Sequence, residues 1–196
     1  MAIQETSFEN KMRNPRTRIY LPEVFAEADK KETVKERIEV IKAYKEKSSE
    51  NEKLLRDYLQ CLYHPAVKLD LPDTAPPYDN TQYVDYDMAP QTLQRALARV
   101  TYYVVGHSNY VEKTVNRENI FIQTLEGLHK KDAELYISIL SKKFPIELYP
   151  NLGMHIFSEA APEFLPASVI DIEGIINEEK KSGAHSKMKK QVKKNV

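Results

Sequence analysis

The sequence predicts an all-α fold: one compact helical domain of roughly six to eight helices, with a central helical hairpin, one long loop rich in Pro, Asp and Tyr, and basic tails. Three observations carry this prediction. Residues 115–144 hold two amphipathic patterns back to back. Capping signals precede apolar stripes in the first third of the chain. Between these regions, residues 65–90 hold five prolines and five aspartates and no helical period.

The hairpin is the most regular stretch. Ile120, Phe121, Thr124, Leu125 and Leu128 share one face of a helix, with Asn116 as its N-cap and Gly127 as a left-handed C-terminal residue. Leu135, Tyr136, Ile139 and Leu140 form a second face, extended by Phe144 and stopped by Pro145. Asp132 and Glu134 open that helix and Lys142 and Lys143 close it, which suits the helix dipole. Two such helices make an αα-hairpin or a DNA-reading helix-turn-helix. Acids at 132 and 134 oppose entry into a groove, so the reading is core packing.

The other elements follow from caps and breakers. Residues 1–18 are polar and aperiodic, a basic arm with Arg13, Arg16 and Arg18. Residues 19–29 form a short helix with Pro22 in its first turn and Val24, Phe25 and Ala28 inward. Thr33 and Glu36 make a capping box ahead of Val34, Ile38 and Ile41, and Ser49 and Glu52 make a second ahead of Leu54, Leu55, Tyr58, Leu59 and Leu62. His64, placed before Pro65, ends that helix. Val67, Leu69 and Leu71 alternate, as in an extended segment lying on the helices. Residues 91–105 resume a helix through Leu93, Ala96, Leu97, Val100 and Val104. A short helix follows Pro150, with Asn151 as cap and Leu152, His155 and Ile156 on one side. Val169, Ile172, Ile175 and Ile176 mark a peripheral helix over 168–179. The domain therefore spans 19–166, with the long loop at 65–90, between the arm and a C-terminal part, 167–196, that ends in a lysine-rich tail.

Net charge is zero but unevenly spread. Residues 69–94 carry Asp70, Asp73, Asp79, Asp85 and Asp87 without a cation. Residues 180–196 carry seven lysines without an acid. Lys187, Lys189, Lys190, Lys193 and Lys194, with Arg13, Arg16 and Arg18, are the candidate nucleic-acid contacts, non-specific and salt-dependent. Set against this is a merely solubilising tail. Tyr78, Asp79, Tyr83, Asp85, Tyr86 and Asp87 are the candidate protein-binding set, since interfaces favour tyrosine. The other readings of that loop are a solvated segment, an ion site or an imitation of a phosphate backbone.

Nothing in the sequence supports catalysis. Cys61 and His64, three apart, lack any nearby orienting group or oxyanion site. The five histidines form no i,i+4 pair and no CxxC occurs, so no metal or cofactor is expected. One cysteine excludes an internal disulfide and suits a reducing compartment. The N-terminus shows no apolar signal region, and no run approaches the roughly 18 apolar residues of a membrane span. A cytosolic setting is expected, with no membrane partner.

RIYLPEVFAEADKKETVKERIEVIKAY, LYHPAVKLDLPDTAPPY and ENIFIQTLEGLHKKDAELYISIL, in that order, resemble a family of small uncharacterised proteins of T4-like tailed phages, including cyanophages. The resemblance spans about residues 18–165 and leaves out the basic tail. It implies no activity and no catalytic residue. It implies a phage-encoded protein working in the host cytoplasm or packaged in the virion. The expected function is a non-enzymatic phage accessory protein that binds a macromolecule, with the lysine tail on nucleic acid. The alternatives are a structural or assembly component of the virion, and an inhibitor of a host nucleic-acid-binding protein through the acidic loop.

Overall fold

The computed structural model describes residues 8–14, 17–81 and 83–168. Among them lie eight α-helices and no strand: α1 Phe8–Arg13, α2 Leu21–Asp29, α3 Val34–Lys47, α4 Ser49–Tyr63, α5 Leu93–Ala98, α6 Thr114–Gly127, α7 Lys130–Ser141 and α8 Met154–Ala160. They form the single helical domain that the apolar periods predict. Arg16, the helix expected over 168–179 (from residue 169 on) and the tail lysines Lys187, Lys189, Lys190, Lys193 and Lys194 lie outside the described residues.

Helix starts follow local hydrogen bonding, with several corrections to the sequence reading. Thr33 Oγ1 accepts from Glu36 N at 3.2 Å, and the Glu36 carboxylate accepts from Thr33 N at 3.0 Å, so this capping box forms as expected. The cap of α4 is Ser48 and not Ser49; its hydroxyl accepts from Asn51 N at 3.2 Å. Helix α6 starts at Thr114 after Lys113, so Asn116 is already helical. Asn151 does not cap α8, which starts after Gly153. Asn151 instead holds the end of α2: its N–H donates to Asp29 Oδ1 at 2.7 Å and its amide to the Asp29 carbonyl at 3.1 Å.

Two breakers also act differently. Gly127 is not left-handed; the chain leaves α6 through an extended Leu128. The glycine is needed for room, since a Cβ there would stand 2.8 Å from Gln91 Cγ. The left-handed cap belongs to Lys142, at φ 54°, so α7 closes before Pro145. The helix expected over 91–105 is cut short. Helix α5 passes into a 3-10 turn at Arg99–Tyr102, and Val104 forms an isolated antiparallel bridge with Leu69. That bridge seats the alternating segment around Leu69 on the helices.

The N-terminal arm is attached as far as Asn14. Phe8 and Met12 of α1 pack against the core. Lys47 Nζ donates to the carbonyls of Lys11, Met12 and Asn14 at 3.0, 3.0 and 2.6 Å. These bonds occupy carbonyls that a short helix leaves unpaired.

The stripes close around Phe25. Its ring meets Tyr58, Phe144, Tyr149 and Phe157 at centroid distances of 5.4–5.8 Å, mostly edge to face. Helix α3 packs on α2, α4 and α8, while α7, the second arm of the hairpin, packs on α2, α4 and α5. Phe121 of α6 joins this core through Tyr103 and Tyr136. Among the described residues no helix is long and apolar enough to cross a membrane. Phe25→Ala is expected to lower the unfolding free energy by about 3–5 kcal/mol in urea titration. Val105→Ser, at a residue 64% exposed, is expected to change it by about 0.5 kcal/mol at most.

Candidate functional site

A loop of this length must pair or hydrate its backbone polar groups. Here it is fastened at two points. The first is Arg117, buried in α6. Its guanidinium donates to Asp70 Oδ2 at 2.5 Å, to the Asp70 carbonyl at 3.1 Å, and to the carbonyls of Val111 and Glu112 at 2.7 and 2.6 Å. It also lies over the Tyr110 ring. The sequence reading passed over Arg117; its place on the apolar side of α6, one turn before Phe121, was the available signal.

The second fastener is Tyr86. Its ring stacks on Tyr20 at 4.1 Å and meets His129 at 3.8 Å. His129 is the N-cap of α7: its Nδ1 accepts from Lys131 N at 3.3 Å, and the ring is also hydrogen-bonded to the Val84 carbonyl. Burial holds this imidazole below its ordinary pKa. Nearby, the buried Asn80 donates to the Leu128 carbonyl at 3.4 Å.

These contacts place the predicted loop residues. Tyr86 is an internal anchor. Asp87 accepts from the Tyr20 hydroxyl. Asp79 Oδ1 accepts from Thr81 N and Oγ1 at 3.0 and 2.8 Å, closing a turn. Tyr78 is half-buried against the core. Asp85 faces solvent beside the exposed Val84 and Met88, which are 81% and 62% accessible. Tyr83 is half-buried in the wall of a cavity.

That cavity, of about 440 Å³, is lined by Tyr83, Pro90, Gln91, Arg95, Arg99, Gln123, Glu126 and Gly127. A second, of about 640 Å³, adjoins it through the shared residues Pro90 and Arg95. Its other walls include Arg18, Lys47, Glu50, Asn51, Thr92 and Gln94. The two neighbouring cavities, which share Pro90 and Arg95, are together called the groove. Arg99 Nη1 donates to Gln91 Oε1 at 3.2 Å, and Gln91 N donates to the Gly127 carbonyl at 3.0 Å. Arg18 lies over the Tyr20 ring at 5.6 Å. Among the described residues, Arg18, Arg95 and Arg99 form no ion pair. Of the predicted basic contacts, Arg18 lines the groove; Arg13 lies instead in a separate depression with Glu9, Glu27, Glu36 and Glu39.

Behind the groove stands Asp132. The sequence reading counted it among the acids that oppose entry into a groove, but it is buried, with 3% of its surface accessible. Its carboxylate accepts from Leu93 N, the first amide of α5, and so ties α7 to α5. Its Oδ1 and the hydroxyls of Tyr44 and Tyr86 have no hydrogen-bond partner among the described residues. Burial pushes the Asp132 carboxyl up to about 7, against the pull of Arg18 and with a smaller push from Glu23.

Cys61 and His64 have structural places. Burial pushes the thiol up to about 11, away from the range of a nucleophile. His64 caps α4, and its Nδ1 accepts from Ala66 N at 3.2 Å. Among the described residues no three His, Cys, Asp or Glu side chains group as metal ligands.

The Asp132 carboxyl is raised on folding, so the folded state binds the proton more tightly. The stability this contributes is complete below the ordinary value of 3.8 and lost as pH rises through about 7. Asp132→Asn keeps an acceptor for Leu93 N without the titration. Its melting temperature is expected to rise relative to the native chain as pH increases towards about 7, and the gap to level off above that. Parallel melting curves across the range would refute this.

A family model described as a family of unknown function, DUF6433, matches residues 24–145. The span runs from within α2 through α7 with the whole loop, and contains every groove residue except Thr17 and Arg18. No curated protein and no solved structure matches the chain. The match covers well over half of the sequence, and the protein belongs to the DUF6433 family of unknown function.

Proposed function

We propose that this chain is a non-enzymatic accessory protein of a T4-like tailed phage that binds nucleic acid in the host cytoplasm. The phage origin rests on the three sequence segments and their order. The observation that carries the binding is the groove, lined by Arg18, Arg95 and Arg99, which form no ion pair among the described residues. Guanidinium forks match phosphate oxygens in shape and charge. The tail lysines Lys187, Lys189, Lys190, Lys193 and Lys194, with Arg16, add a sequence-independent attraction that concentrates the chain on a phosphate backbone.

The loop supports a protein partner through a small exposed patch, Val84, Asp85 and Met88. Of the loop acids only Asp70 is in an ion pair among the described residues, with Arg117; Asp79 and Asp87 accept hydrogen bonds that leave their charge in place, and all five loop aspartates are exposed.

Deleting 187–196 is expected to weaken retention on immobilised nucleic acid at low salt. The full chain is expected to lose about 10³-fold in affinity between about 50 and 200 mM salt if it neutralises about six phosphates. Retention that ignores both the deletion and the salt would remove this reading.

A further inference from the structure

We infer that the groove is a single-strand site: the larger cavity holds backbone phosphate, and the smaller one takes an unpaired base against Tyr83. This deepens the nucleic-acid reading and rests on it. The cavities differ in chemistry. The larger has Arg18 and Lys47 in its wall and shares Arg95, with Glu50 as its one acid among the described residues. Lys47 Nζ already bonds three carbonyls, so its charge acts there through the field and not through a new contact. Arg18 and Arg95 are the forks that remain for a phosphate.

The smaller cavity is built differently. Beside Arg99 it has an aromatic ring, Tyr83, and three groups that a phosphate alone does not need: the amides of Gln91 and Gln123 and the carboxylate of Glu126. A carboxylate in the wall repels a phosphate or an acidic peptide side chain. It accepts hydrogen bonds from the exocyclic amine or ring N–H of a base. Amides supply both donors and acceptors for a base edge, and the tyrosine ring offers a stacking surface. Charged groove, stacking ring and mixed donors together describe single-strand binding better than binding of a duplex, whose bases are already stacked and paired.

The floor is pre-organised. Gly127 packs directly under Gln91, with room for no side chain, and Gln91 is held by Arg99 and by the Gly127 carbonyl. Tyr83 and Pro90 reach the groove because the flanking loop is anchored through Tyr86. The site is thus assembled from α5, α6 and the two sides of the Tyr86 anchor.

The test uses the full chain and fluorescence anisotropy with short labelled oligonucleotides, single-stranded and duplex, at low salt. The expected result is tighter binding of the single strand. Tyr83→Leu should weaken single-strand binding by about tenfold and leave duplex binding unchanged, and Arg99→Ala should weaken single-strand binding by about tenfold. Arg95→Ala should also lower the salt slope by about 1. Glu126→Gln should alter the ranking of oligo-dC, oligo-dG, oligo-dA and oligo-dT, with circular dichroism melts confirming that each variant folds. If single strand and duplex bind alike and Tyr83→Leu, Arg95→Ala and Arg99→Ala change neither, binding belongs to the tail and this inference falls, while the broader reading stands. If the native chain binds neither oligonucleotide at low salt, both fall.

Discussion

The surface of this protein depends on the burial of one ring. Tyr86 is held between Tyr20, just before α2, and His129, the cap of α7. Each aromatic contact adds about 0.5–1.5 kcal/mol beyond the area buried. Its structural effect is larger than that energy. The loop between α4 and α5 is irregular almost throughout, and its ordering is opposed by about 1–2 kcal/mol of backbone entropy per residue. A few strong fasteners must offset that cost. Arg117 holds the beginning of the loop and Tyr86 the end, and the residues that follow Tyr86 run directly into the groove. The groove walls Tyr83, Pro90 and Gln91 therefore owe their positions to a contact made outside the groove.

What was legible in the sequence was what local chemistry decides. The Thr33–Glu36 box, the helix around Phe25 with Pro22 in its first turn, and the stop at His64 each involve groups within a few residues of one another. The misplacements involve partners far along the chain. Gly127 reads as a left-handed terminator because that is the commonest local use of glycine near a helix end. Its actual constraint comes from Gln91, which no local pattern reveals. Asn151 reads as a cap, yet its partner is Asp29. Asp132 reads as an exposed acid in the first turn of a helix, because the dipole rewards an acid there whichever way it faces. The residue that it serves is Leu93, in another helix. The groove was hidden for the same reason: Arg95 and Arg99 are one turn apart on α5 and its 3-10 continuation, but Arg18 and Gln123 lie far away in the sequence and only packing brings them there.

Charge patterning gave a correct count and an incomplete picture. The loop is acidic along the sequence, but Asp70, Asp79 and Asp87 turn towards partners within the fold. A run of like charges in a sequence predicts an outward field only if nothing in the fold takes the charges up. Arg117 takes up one, while the donors on Asp79 and Asp87 are neutral and leave the charge of those exposed carboxylates in place. The cations of the α5 region meet the opposite fate. Arg99 donates to the neutral amide of Gln91, and Arg95 and Arg99 form no ion pair among the described residues, although Glu126 lines the same cavity.

Asp132 and Arg18 show how the two halves of this design are coupled. A buried carboxylate that accepts only a backbone N–H is costly when ionised. Arg18 is the nearest compensating cation, yet the carboxyl still titrates near 7. Had Arg18 been drawn into a close pair with Asp132, the acid would be held well below its ordinary range and the guanidinium would be lost to the groove. Instead its attraction is felt across a distance, and the fork stays over the Tyr20 ring at the cavity wall. The raised carboxyl and the arginine that forms no ion pair among the described residues are thus two aspects of one placement: the stability that a tight ion pair would add is forgone, and a cation is left lining the groove.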